Sequence, residues 1–147
     1  MIFVFKSQTI YGSGKSIESI ILGLLHSQDL FKYDDKVSKH WPEFAQNGKE
    51  DVRICDILRH ESGLAWFTES LGSIKDDAWI ELIKNNEIGE WIEKQPLHFP
   101  QYPTHVSKSE YHAISRGLIL NEIVRRIDLK KRTMGEIMRQ DLCIEGT

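Results

Sequence analysis

The sequence predicts a mostly α chain, and three observations carry that. Apolar residues recur at the helical period in six stripes along the chain, only one segment reads as a strand, and the four prolines all fall between the periodic segments.

Each element follows from its own residues. "IFVF" (2–5) reads as a short buried or edge strand, and "KSQT" as a break. From Gly14 the pattern turns helical: Ile17, Ile20, Ile21, Leu24 and Leu25 make one apolar stripe, predicting a helix over 14–27. "DDKVSKHWPEFAQNGKED" has little periodicity, with turn chemistry at Pro42 and at Asn47-Gly48; Val37, Trp41 and Phe44 are expected to tuck it onto the core. "VRICDILRHESGL" resumes as a helix of about two turns, with Ile54, Ile57 and Leu58 inward and Gly63 as its stop.

From Trp66 to Tyr102 the first two-thirds read as helix, with Trp79, Leu82 and Ile83 on one stripe and Ile88, Trp91 and Ile92 on another. Pro96, Pro100 and Pro103 then impose an extended connection. Ile114, Leu118, Ile123 and Ile127 form the apolar face of a helix running from Tyr111 to about Arg126. "TMGE" (133–136) is a capping box, opening a final helix that buries Met134, Ile137, Met138 and Leu142.

Composition narrows the function. A chain of 147 residues with 40% apolar and 28% charged residues suits one globular domain. A net charge of −3 gives no basic face for nucleic acid or an anionic membrane. The densest basic cluster, "RR" and "KKR" within 125–132, reads as a solvated helix end. Cys55 and Cys143 match no metal spacing and read as reduced interior thiols. His26, His40, His60, His98, His105 and His112 form no H-x-x-x-H pair on a predicted helix, so no metal and no cofactor is expected. "MIFVF" is too short for a signal-peptide core and no apolar run reaches the ~20 residues of a membrane span; the expectation is a cytoplasmic protein with no membrane partner.

The chemistry turns on Lys15. Gly14-Lys15-Ser16 ends a phosphate loop correctly, but its first glycine belongs at position 9, which is Thr9, and no apolar strand ending in Asp is available to orient a metal. The other pattern is S-x-x-K at a helix start, where three-residue spacing stacks serine and lysine on one face so that the amine can take the hydroxyl proton. Counting back from Lys15 reaches Gly12; Ser13 is one residue off, and helix neighbours point about 100° apart. The phosphate-loop and hydrolase readings both stand at this point.

The following residues weight the second. "GLLHSQDLFKYDDKVSKHWPEF" and "ILRHESGL" (57–64) resemble the serine β-lactamase-like family of class C β-lactamases, penicillin-binding proteins and related esterases, in which the active helix precedes "GLLxLDDPVxxYWPEF" and "LLxHxSGL". "SEYHAISRGLILNEIVRR" (109–126) resembles the second family motif, and Tyr111, His112 and Ala113 place a Y-H-A where the esterase-like branch has it.

The resemblance implies part of an α+β β-lactamase/transpeptidase-like fold, mostly α here: one partial domain over 1–147, with an active-site helix at 14–27 and a helical subdomain at 52–142. It implies acyl transfer to a serine from a small-molecule ester or amide, with Lys15 and Tyr111 moving the proton and backbone N–H groups holding the oxyanion. Ser13, Lys15 and Tyr111 are then the candidate catalytic residues, and Gly12 and His112 the candidate substrate-side residues. His60, in "RHESG", reads as structural, with Glu61 and Ser62 capping the turn.

Gly12 at the nucleophile position, and the absence of a K-T-G-like or H-x-G-like motif before "DLCIEGT", lead to the expectation of a truncated and inactive version. The alternative is a non-catalytic binding or interaction protein of the same fold. Its sheet-facing apolar surface would serve self-association or a partner.

Overall fold

A 3-10 turn, Tyr11–Gly14, leads directly into α1 (Lys15–Ser27), whose C-terminal end carries Asp29 in the left-handed region (φ 56) and the Leu30 N–H on the Leu25 carbonyl. The structure, a computed structural model, describes residues 11–68, 78–98 and 109–142. The expected strand over 2–5, together with Pro100, Pro103 and Cys143, lies outside them.

Next come α2 (Val37–His40), a 3-10 turn (Pro42–Phe44) and α3 (Ile54–Leu58). This loop folds back on itself through a lone antiparallel bridge, Lys36 to Arg53, with the Val37 N–H on Val52 O at 2.9 Å. Val37, Trp41 and Phe44 are buried, as expected. Then follow α4 (Trp79–Lys84), α5 (Glu87–Lys94), α6 (Ser115–Ile127), α7 (Met134–Ile137) and a π-helical turn (Met138–Leu142). Among the described residues no strand is present beyond the lone bridge.

Helix α6 is the hub: α1, α2, α3, α5 and α7 all pack on it. Its Ile119, Leu120, Ile123, Val124 and Ile127 meet Ile21, Leu22 and Leu25 of α1, Ile54 and Ile57 of α3, and Ile88 and Ile92 of α5 in one core. The expected capping box at α7 forms, with Thr133 Oγ1 accepting from the Glu136 N–H at 3.2 Å and Glu136 Oε2 accepting from the Thr133 N–H at 2.8 Å.

Five expectations are corrected. On α1 the buried sector is centred between Ile21 and Leu25 and takes in Leu22, so Ile20, at the far edge of the broad stripe, is 56% exposed. Ile114 precedes α6 instead of lying on its face and is 74% exposed. Leu142 is exposed at the end of the last turn.

Helix α3 stops at Leu58, because His60 already takes a left-handed conformation (φ 64), ahead of Gly63 (φ 75). Asp56 supports this short helix by accepting from the Arg53 N–H.

The basic cluster is not a solvated end. Arg125 and Arg126 turn inward onto the fully buried Glu122, at 2.9 and 2.7 Å. Arg126 also lies 4.1 Å over the Trp41 ring and bonds Asn86 Oδ1 at 2.8 Å, while Arg132 chelates Asp128. Only Lys130 and Lys131 of the cluster are exposed.

Lys49 is buried, donating to the carbonyls of Glu93 and Gln95 with its amine 5.5 Å from the Phe44 ring. Burial pulls its pKa from 10.5 down to about 8. Between those values the unfolded chain binds more protons than the folded one, so stability from this group rises with pH from about 8 towards 10.5. Lys49→Met keeps the stem and removes that slope. Urea midpoints measured from pH 7 to pH 10 should gain less with rising pH in the variant than in the parent, and identical slopes would refute the assignment.

Candidate active site

The site forms where the start of α1 meets the turn before α6. Lys15, the first residue of α1, reaches across 98 residues of sequence to donate from Nζ to the Ala113 carbonyl at 2.9 Å. The same amine lies 5.0 Å from the centroid of the Tyr111 ring. Tyr111 is 59% exposed, and its hydroxyl rests against Gly12: a Cβ built on Gly12 would come within 2.9 Å of the Tyr111 oxygen. Gly12, Lys15 and Tyr111 are thus brought together.

Ser13 is exposed in the same 3-10 turn. With three residues per turn, neighbouring side chains there diverge by about 120°, so it is position 12 whose side-chain direction leads to the phenol. A hydroxyl at position 12 would lie beside a phenol whose ring neighbours an amine, an arrangement suited to moving a proton away from an attacking oxygen.

A second tie, not anticipated from the sequence, braces the first. Arg116 Nη1 meets Glu18 Oε2 at 2.6 Å and Arg116 Nη2 meets Ser19 Oγ at 3.3 Å, joining α6 to α1 one turn beyond Lys15. Burial pushes the Glu18 carboxyl up from its ordinary range, and the charges of Arg116 and Lys15 pull it back. The only sequence sign of this brace is an acid three residues after Lys15 and a base at the opening of α6.

His112 faces inward and is fully buried. Its Nδ1 lies 2.5 Å from the Glu110 carbonyl, so that nitrogen carries the proton, and Nε2, 2.7 Å from Ser62 Oγ, accepts from the hydroxyl. Desolvation keeps the ring below its ordinary pKa and hence neutral. Ser62 is therefore a buried partner of His112, more than a turn residue.

His60 holds the same segment, as its structural reading anticipated. Its carbonyl accepts from the Glu110 N–H at 2.9 Å and its Nδ1 from the His112 N–H at 3.0 Å. Among the described residues no group of three His, Cys, Asp or Glu is placed to hold a metal ion, and no helix is long and apolar enough to cross a membrane.

A helical body whose first long helix presents a lysine to a tyrosine on the facing turn belongs to the helical part of the β-lactamase/transpeptidase-like fold. The solved structure of a penicillin-binding protein homologue from Caulobacter crescentus superposes with a TM-score of 0.72 at 29% identity, over 90% of this chain and 33% of that one. A family VIII carboxylesterase gives a TM-score of 0.72 at 25% identity, over 88% of this chain and 32% of that one. EstA from Arthrobacter nitroguajacolicus Rue61a gives 0.66 at 25% identity, over 88% and 32% of the two chains.

The Beta-lactamase family model matches residues 10–144, and the chain belongs to that family. Among curated proteins it is similar to the Esterase/beta-lactamase LipL of Mycobacterium tuberculosis, 22% identical over 133 residues, 90% of this chain and 28% of the relative. The chain thus spans about a third or less of the length of these relatives.

Proposed function

We propose that this chain carries the lysine–tyrosine corner of an esterase-like acyl-transfer site whose nucleophile position is occupied by glycine. In this reading it receives an ester or amide carbonyl beside Lys15 and Tyr111 but forms no acyl-enzyme. The observation that carries it is the approach of the Tyr111 hydroxyl to Gly12, 2.9 Å from where a Cβ would stand, with the Lys15 amine on the same ring.

The esterase direction is supported by Tyr111-His112-Ala113 and by the esterases among the relatives. The inactive state is supported by chemistry: a glycine offers no atom for covalent attack, and removing a nucleophile typically lowers turnover by about 10⁶-fold.

Incubation of the folded protein with a fluorophosphonate, followed by intact mass and peptide mapping, tests this. No adduct is expected at any serine. An adduct on Ser13 that disappears in Lys15→Ala would overturn the reading and move the nucleophile one residue along the turn.

A further inference from the structure

Tyr111 lies outside any helix, in the segment just before α6. A phenol that is largely exposed and carried on an irregular segment needs something else to fix its position, and the bonds on either side of it converge on one residue. His60 accepts the Glu110 N–H on its carbonyl and the His112 N–H on its ring, bracketing Tyr111 from both sides, and its ring packs 5.1 Å from the Tyr111 ring. The left-handed backbone of His60 (φ 64) is what lets one residue present both acceptors to the same segment.

We propose that His60 is the positioning residue for Tyr111, and that it holds the phenol against Gly12 and Lys15 only while its Nδ1 is an unprotonated acceptor. This rests on the acyl-transfer reading for its functional meaning, though not for its geometry.

The two neighbouring histidines differ in what a proton would do. At His112 the Nδ1 proton is already present, and protonating Nε2 only reverses the bond to Ser62, whose oxygen can accept. At His60 a proton on Nδ1 sets donor against donor at the His112 N–H. The rings lie 5.3 Å apart. Lys15 of α1 and Arg116 of α6 are the cations facing His60; Glu110, Tyr111 and His112 face it from the held segment. Arg59 and Glu61 flank it in its own turn, and Asp56 lies at the start of that turn.

Burial, then Arg116 and Lys15, hold its pKa below the ordinary histidine value. The unfolded chain accordingly binds a proton more readily. The latch is complete above the ordinary value and loses its advantage as pH falls below that value towards the folded one.

Nuclear magnetic resonance of the intact protein between pH 8 and pH 5 tests this, by exchange of the His112 amide and the chemical shifts of the Tyr111 ring. In the parent, His112 protection is expected to fall by about tenfold, the worth of one lost hydrogen bond, and the Tyr111 shifts to move with the titration of His60 itself. His60→Asn supplies a non-titrating side-chain oxygen near the place of Nδ1 and tolerates the left-handed backbone, so both signals should stay constant across the range.

Should the variant fail to fold, the parent titration decides alone. Parent signals that ignore the His60 titration, or the same acid loss in His60→Asn, would overturn the proposal. Because nothing is turned over in these measurements, a fluorophosphonate adduct on Ser13 would overturn the proposed function and leave the positioning role intact.

Discussion

Gly12→Ser is expected to make the chain take up one equivalent of a fluorophosphonate at position 12, where the parent takes up none. The geometry is already in place for most of this change. Gly12 is not among the glycines with positive φ, so a serine adopts its backbone without strain. Among the described residues the new Cβ meets only the Tyr111 hydroxyl, at 2.9 Å, and that oxygen terminates an exposed side chain that can swing aside by a few tenths of an ångström. The displaced phenol then lies at hydrogen-bonding distance from the introduced hydroxyl, with the Lys15 amine beside it. Proton transfer by such a group is worth about 10²–10⁴-fold, so adding Lys15→Ala or Tyr111→Phe to Gly12→Ser should slow labelling by at least about 10²-fold. A folded Gly12→Ser protein that stays unlabelled would remove Gly12 from the nucleophile's place.

The largest loss of stability is expected from Glu122→Ala. Glu122 is fully buried and pairs with both Arg125 and Arg126. Through them it reaches the Ile83 carbonyl at the end of α4, Asn86 at the start of α5 and the face of Trp41. Glu93 closes the circuit, accepting from the Trp41 indole at 2.7 Å. Taking the carboxylate away leaves the partly buried Arg125 guanidinium without its counter-charge and Arg126 with only the more distant Glu93, at 3.9 Å, at a cost of about 3–5 kcal/mol. Against a typical total of about 5–15 kcal/mol this should lower Tm by about 10 °C or more. Glu122→Gln keeps an acceptor and should lose roughly half as much. Thermal and urea unfolding followed by circular dichroism would show it, and a change below about 1 kcal/mol would mean the arginines find other partners.

The helices were legible wherever period and capping act locally. Ile21 and Leu25 mark the buried side of α1, and Thr133 and Glu136 mark the start of α7, because neighbours three or four residues away decide those features. What failed was the part set by distant partners. Ile20 and Ile114 look like core from their own segments; which edge of an apolar stripe is covered depends on where α6 and α7 lie. Arg125 and Arg126 look like a polar helix end until Glu122, Asn86 and Trp41 are seen to surround them. The meeting of Lys15 with Tyr111 was legible only through resemblance to a family, since no local pattern links residues about a hundred positions apart. His60 could be read as structural from "RHESG", yet the identity of what it holds needed the fold.

The ties that make the site span unusual stretches of chain for a helical protein. Lys15 to Ala113 and Glu18 to Arg116 each close a loop of 98 residues, and the bonds from His60 and Ser62 to His112 close loops of 52 and 50. Closing a loop of that first length carries an entropy term of about 4 kcal/mol, more than either contact returns alone. The second contact of each pair closes a loop already shut and meets almost none of that term. Lys15, Glu18, Tyr111 and Arg116 are therefore expected to come together, and to separate, as one set when α1 docks on α6.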